Sequence, residues 1–215
     1  IEFDADVTII DPKSDEEESR KDKYAEVYWK QRKRRGITLL SAKKLLRERN
    51  YFAAMMVNVG DADALISGYS RSYPTVVKPI LELIGLDKGV TRIATTNLLM
   101  TQRGPLFLSD TSININPDSK DLATIANMTA TTVKMFGLEP VIAMISFSNF
   151  GSSKDPSANK VREAVSYLHK FYPNLMVDGE LQTDFALNNE MLQERFPFSK
   201  LAGKKVNTLI FPNLD

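Results

Sequence analysis

The chain has 215 residues, of which 43% are apolar and 26% charged, ordinary values for a globular protein that can bury a core as one large domain or two small ones. Zero cysteines exclude disulfides, thiolate catalysis and cysteine-ligated metals, and no apolar run or signal-like N-terminus implies a membrane partner, so the cytoplasm is the expected location. The net charge of +1 conceals −7 over residues 1–19, +9 over residues 20–49 and −1 over the rest.

In chain order, Val7–Ile10 reads as a strand and Asp11-Pro12 as a turn. Ser14 followed by Glu17 is a capping-box start for a long helix. That helix begins acidic, ends basic from Lys30 to Arg35, and is stopped by Gly36. Helices follow over 38–49 and 51–59. Gly60 then ends a helix, Ala62, Ala64, Leu65 and Ile66 form a short apolar strand, and Ser67-Gly68 turns into a helix starting near Tyr73-Pro74. Residues 92–101 and 106–114 read as strands around Gly104-Pro105. Leu122, Ile125, Thr129, Val133 and Phe136 mark a helix over 118–136. Thereafter come a strand at 141–147, a helix at 157–171, a strand at 175–177, a helix at 184–195 and a strand at 206–211.

Near-continuous apolar strands alternating with amphipathic helices predict an α/β fold, three layers (αβα) with a largely parallel sheet. Two subdomains are expected, 1–88 and 89–215, divided where Gly85, Asp87 and Gly89 break the pattern. The abrupt start, and the end at FPNLD directly after a strand, suggest part of a larger polypeptide. His169 lies in KVREAVSYLHKF, where Val161, Ala164, Val165, Leu168 and Phe171 form the apolar stripe, and is expected to be a partly exposed helix-surface residue.

The segment NYFAAMMVNVGDADALISGYSRSYPTVVKPILELIG (50–85) resembles the cleft segment of the phosphate acetyltransferase family. Supporting stretches are YAEVYWKQRKRRGIT (24–38), PVIAMISFSNFGSS (140–153), VDGELQTDFAL (177–187) and NTLIFPNLD (207–215). Arg71, Tyr73, Pro74 and SFSNFGS are nearer to the version fused to the C-terminus of bacterial malic enzymes. The resemblance implies an isocitrate and isopropylmalate dehydrogenase-like fold, CoA in an interdomain cleft, and a homo-oligomer.

Carried over to this sequence, the family's two phosphate-binding arginines fall on Arg32 and Lys78. A lysine lacks the planar fork that grips an oxyanion bidentately, so altered phosphate orientation is expected. Lys30, Lys33, Arg34 and Arg35 read as a solvated helix end, and so short a basic run in a neutral chain does not suggest nucleic acid. The Ser67-Gly68 turn, feeding a helix N-terminus, suits an anion. Thr111 stands where some free acetyltransferases have cysteine. Ser146, Ser148, Gly151 and Ser152 belong to a second candidate anion loop, bordering the acetyl-phosphate end of the cleft in the family, with a plain polar connector as the alternative. Asp178, Glu180 and Asp184 could hold magnesium, but Glu180 and Asp184 are expected instead to cap the following helix, and no metal site is assigned.

In the free transferases a Ser-Arg pair and an Asp that acts as base for the thiol lie beyond the FPNLD-type motif, so no catalytic residue is assigned here. The resemblance therefore implies a regulatory and oligomerisation domain that binds acetyl-CoA and is attached to upstream malic-enzyme domains. Those domains would use NADP and a divalent metal, Mg or Mn; no G-x-G-x-x-G occurs among the ten glycines here. The alternative is a fragment of a true phosphate acetyltransferase.

Overall fold

The structure, a computed structural model, describes residues 6–86 and 90–214. These fall into two compact units, one reaching Leu86 and one starting at Val90; the boundary expected after residue 88 lies outside the described residues.

The first unit is helical: α1 Glu18–Arg32, α2 Leu39–Leu45, α3 Arg49–Val59 and α4 Tyr73–Leu83. Lys21, Tyr24, Ala25 and Tyr28 form the buried stripe of α1, at the spacing that places side chains on one helix face. The tyrosines and Ala25 pack with Ala42, Leu46, Phe52, Met55 and Leu83 into one core. Lys21 is tolerated there because its ammonium reaches Glu18 Oε2 at 2.6 Å and the Ser14 carbonyl at 3.2 Å.

Several expectations for this unit are corrected. Residues 7–10 and 62–66 are not strands: each is an unladdered segment, and Ile9 and Ile66 project into solvent. Strand identity needs a partner edge, and the neighbouring elements here are helices. Ser14 does not close a capping box. Its hydroxyl donates to the Asp11 carbonyl at 2.9 Å, and Asp15–Glu17 form a 3₁₀ turn that precedes α1. The helix expected over 38–49 stops at Leu45, because Glu48 accepts from Asn50 N–H at 2.9 Å and Tyr51 N–H at 3.2 Å and so starts α3.

The second unit is a five-stranded sheet, β1 Thr96–Thr101, β2 Gly104–Ser109, β3 Val141–Ile145, β4 Met176–Leu181 and β5 Thr208–Ile210, with helices α5 Ser119–Met135, α6 Pro156–Phe171, α7 Thr183–Leu187 and α8 Asn189–Arg195. The order is β1-β2-β5-β3-β4; β1 and β2 form an antiparallel hairpin and every other pairing is parallel. Alternation along β3 builds the layers. Ile142 and Met144 pack with α5 and α6, while Ala143 and Ile145 pack with Ala186, Leu192 and Leu201 on the other face. The expected three-layer α/β arrangement is thus found in this unit.

Two boundaries moved for identifiable reasons. The strand expected at 175–177 continues to Leu181 through Asp178, Gly179 and Glu180, a polar run made tolerable by buried partners described below. The helix expected at 184–195 is two helices, because the Asn188 side-chain oxygen Oδ1 accepts Met191 N–H at 3.2 Å and starts a new one. Among the described residues no helix is long and apolar enough to cross a membrane.

Candidate functional site

Arg32, Ser67, Gly68 and Lys78 belong to the first unit, and Thr111, Ser146, Ser148, Gly151 and Ser152 to the second. Arg32 ends α1, where its Nη2 lies 3.2 Å from Glu82 Oε1 on α4. The other oxygen of Glu82 accepts the hydroxyls of Tyr28 at 2.9 Å and Tyr51 at 2.8 Å. Burial first, then these bonds to the carboxylate, push the Tyr28 hydroxyl up to about 12 and raise Tyr51 as well, so both remain donors at physiological pH. Arg32 is therefore held by a counter-ion on one side, while its Nε is buried with no hydrogen-bond partner. Lys78 is exposed on α4. Ser67 donates its hydroxyl to Asn50 Oδ1 at 2.8 Å, fixing the turn against α3, and Gly68 has φ +124°, a conformation that favours glycine.

Thr111 follows a buried aspartate that organises its loop. Asp110 accepts the amides of Thr95, Ser112, Ile113 and Asn114, together with the Thr95 hydroxyl and the Asn114 side chain. The Thr111 hydroxyl lies 3.3 Å from that of Thr95. Burial pushes the Asp110 carboxyl up, but the bonds from Thr95 and Asn114 outweigh it and hold the group at about 2, below its ordinary 3.8. A depressed carboxylate stabilises the fold above its unfolded value and loses that contribution as pH falls through its folded value. Asp110→Asn should therefore lower stability by about 2 kcal/mol at neutral pH. The gap to the parent chain, read from urea midpoints, should close between pH 5 and pH 2; a gap independent of pH would refute this account.

The loop Ser146–Ser153 is the most tightly organised part of the second unit. Its centre is Glu180 of β4, fully buried. Arg162 of α6 grips that carboxylate with two bonds, Nη2 to Oε1 at 2.8 Å and Nε to Oε2 at 3.1 Å. Ser148 Oγ at 3.0 Å and Gly151 N–H at 2.8 Å also donate to Oε1. Burial pushes the Glu180 carboxyl up, yet the bonds from Arg162, Gly151 and Ser148 more than offset it and keep it below its ordinary value. Phe150 N–H donates to the Glu180 carbonyl at 2.8 Å, and the Phe150 ring lies 5.0 Å, centroid to centroid, from Phe196 (tilted) and from Phe198 (edge-to-face).

This corrects two expectations. Glu180 does not cap the following helix: Gln182 occupies the N-cap of α7, and Glu180 faces the loop instead. The loop amides expected to be free donors are also turned inward. Ser148 N–H goes to Ser146 Oγ, Asn149 to Ser152 Oγ, Phe150 to the Glu180 carbonyl, Gly151 to Glu180 Oε1, Ser152 to the Asn149 carbonyl and Ser153 to Ser148 Oγ. Six consecutive amides are satisfied within the protein. Asp178 likewise accepts Ser199 Oγ and Lys200 N–H, both at 2.8 Å. Asp184 accepts the neighbouring Phe185 N–H at 2.9 Å. Among the described residues no group of three or more His, Asp or Glu side chains is placed to hold a metal ion. His169 is half-buried, its Nε2 at 2.8 Å from the Val177 carbonyl.

The Arg162–Glu180 pair was missed in the sequence, although a signal was present. An acid within a strand that is otherwise buried requires a cation or several donors.

A family model described as phosphate acetyl/butaryl transferase matches residues 1–215. The chain belongs to the phosphate acetyl/butaryl transferase family. An NADP-dependent malic enzyme of Haemophilus influenzae is 38% identical over 211 residues, 98% of this chain and 27% of that protein. A phosphate acetyltransferase of Thermoanaerobacterium thermosaccharolyticum is 36% identical over 214 residues, 96% of this chain and 64% of that enzyme. A phosphotransacetylase structure from Streptococcus pyogenes matches with a TM-score of 0.81 at 38% identity, over 99% of this chain and 64% of that one. This family member thus spans about a quarter of the malic enzyme and just under two thirds of the transferases. Both kinds of relative carry the domain.

Proposed function

We propose that this family member is the regulatory and oligomerisation domain of a cytoplasmic NADP-dependent malic enzyme and binds acetyl-CoA or a related CoA ester without transforming it. The observation that supports this reading is the saturated Ser146–Ser153 loop. The amides of Ser148 to Ser153 are engaged internally, and the buried carboxylate against the loop, Glu180, is paired, four times hydrogen-bonded and depressed in pKa, which makes it a poor general base near neutral pH. A loop whose donors are already taken can form a rigid wall but offers no group to move protons. Arg32 and Lys78 are the cations proposed to meet the phosphates of the ester. NADP and a divalent metal would be held by upstream domains of the same polypeptide, which would carry the oxidation and decarboxylation of malate. Regulation requires the ester to bind two states of the parent unequally.

The rival reading is a piece of a true phosphate acetyltransferase, and the 38% identity to the Streptococcus pyogenes phosphotransacetylase favours it. The two separate in one assay of the full-length parent, following malate-dependent NADPH formation and acetyl phosphate formation side by side. Under the regulatory reading acetyl-CoA suppresses NADPH formation and no acetyl phosphate appears. Lys78→Ala, and Arg32→Ala with thermal stability checked in parallel, should each raise the half-inhibitory acetyl-CoA concentration about tenfold, the scale of one charge-assisted contact. Malate turnover should stay near its parent value. Acetyl phosphate without malate turnover would establish the transferase instead.

A further inference from the structure

A second basic feature of the first unit is independent of both Arg32 and Lys78. A concavity of about 720 Å³ is bordered by Lys13, Lys44, Arg47, Arg49 and Arg71, which come from the turn before α1, from α2, from the α2–α3 connection and from the segment leading into α4. With Arg49 at the start of α3, five separate places in the chain thus bring five cations to one basin.

Its two acids do not neutralise them. Glu48 is committed to the α3 N-terminus through Asn50 N–H and Tyr51 N–H, and Asp11 Oδ1 accepts Lys13 N–H at 2.9 Å. Of the cations, only Arg49 has a side-chain partner, the neutral Ser70 hydroxyl at 3.3 Å. The side chains of Lys13, Lys44, Arg47 and Arg71 meet no hydrogen-bond or ion-pair partner among the described residues. The basin therefore has a net charge of +3, and four of its five cationic side chains have their donors free. Several other cations of the unit are paired, among them Lys21 with Glu18, Arg32 with Glu82 and Lys43 with Asp22. Converging like charges repel one another, and a bound polyanion relieves that repulsion while supplying acceptors for two guanidinium forks. The remaining lining, Ile10 and Pro12, offers a small apolar wall and no competing acceptor side chain.

We infer that this basin binds a small molecule carrying three or more phosphate charges, of the nucleoside polyphosphate class, with Arg47 and Arg71 as its principal ligands. Two sources share that chemistry: the adenosine 3′-phosphate 5′-diphosphate end of a CoA ester, and a free nucleoside di- or triphosphate. In the first case the inference deepens the reading proposed above and rests on it; in the second it stands alone.

The test uses the full-length parent protein and isothermal titration with three probes: adenosine 3′,5′-bisphosphate, ATP and inorganic phosphate. One site per chain is expected, with affinity falling as salt rises. Arg47→Glu and Arg71→Glu should each weaken the preferred nucleotide at least about tenfold, the effect of losing one charge-assisted contact. Unchanged melting temperature is the folding control, and Arg47→Gln and Arg71→Gln replace any reversal that does not fold. Preference for the bisphosphate over ATP assigns the basin to a CoA ester, and the reverse assigns it to a free nucleotide. Binding that neither substitution alters, or no saturable nucleotide binding at all, overturns the inference. If acetyl-CoA regulates malate turnover but these substitutions leave nucleotide affinity intact, the basin falls and the regulatory reading survives. If nucleotide binding depends on Arg47 and Arg71 but acetyl-CoA does not affect turnover, the regulatory reading falls and the basin stands.

Discussion

Gly179→Ala is expected to keep the second unit from folding, or to leave it severely unstable. Gly179 lies within β4 at φ +148°, a region that side chains rarely enter, and an added Cβ would come 2.6 Å from the Met144 carbonyl oxygen and 2.9 Å from Met144 Cβ. The obstructing atoms are the backbone and Cβ of the paired strand β3, so no flexible tip can swing aside. Strain at such a conformation and overpacking each cost about 1–3 kcal/mol, roughly 4 kcal/mol together, against a usual total of about 5–15 kcal/mol. Circular dichroism melting should show an early transition for the second unit, or the variant should collect in the insoluble fraction. A melting curve matching the parent's would mean that β4 does not approach β3 as described. Gly203→Ala is a fitting comparison, because the nearest atom there, at 3.2 Å, is the movable Gln193 side-chain amide.

The next largest effect is expected from Glu180→Ala. The carboxylate is fully buried and joins four donors from three residues: the Arg162 guanidinium on α6, and the Ser148 hydroxyl and Gly151 amide of the loop. Removing it leaves those donors unpaired, at a cost of about 3 kcal/mol. The loop should loosen before the sheet does, so hydrogen exchange at the Gly151 amide should accelerate more than at Ile142 in β3. Equal acceleration at both positions would indicate a global loss and count against a local role. The pH dependence has a definite sign. Glu180 is depressed, so its contribution is present above the ordinary carboxylate range and is lost as pH falls through its lower folded value. The stability gap between the parent and Glu180→Ala should therefore shrink on acidification. Glu180→Gln, which keeps the shape and loses the charge, should fall between them at neutral pH.

Much of the fold was legible because it follows from local periodicity. Leu122, Ile125, Thr129 and Val133 repeat at helical spacing and are the buried face of α5, and Val161, Ala164, Val165 and Leu168 do the same for α6. Asp155-Pro156 and Gly36 set helix ends where side-chain capping and left-handed backbone require them. The stretches around 50–85 and 140–153 carried the family resemblance, and the matching relatives agree with it over nearly the whole chain. Residue type and spacing determined these things, since each depends on neighbours a few positions away.

Tertiary structure alone decided whether an apolar segment became a strand and which polar groups remained available. Residues 62–66 are apolar enough for a strand but find helices beside them, whereas 178–180 look unsuitable and are carried through β4 by partners 18 to 32 residues away. The same long-range bonding turned the serine loop from an apparent anion cradle into an internally satisfied turn and tied Arg32 to Glu82. It also gathered Lys13, Lys44, Arg47 and Arg71, far apart along the chain, into one basin of net positive charge. A side chain's type is written in the sequence. Whether its charge or hydrogen bond is already taken depends on which distant group the fold places beside it.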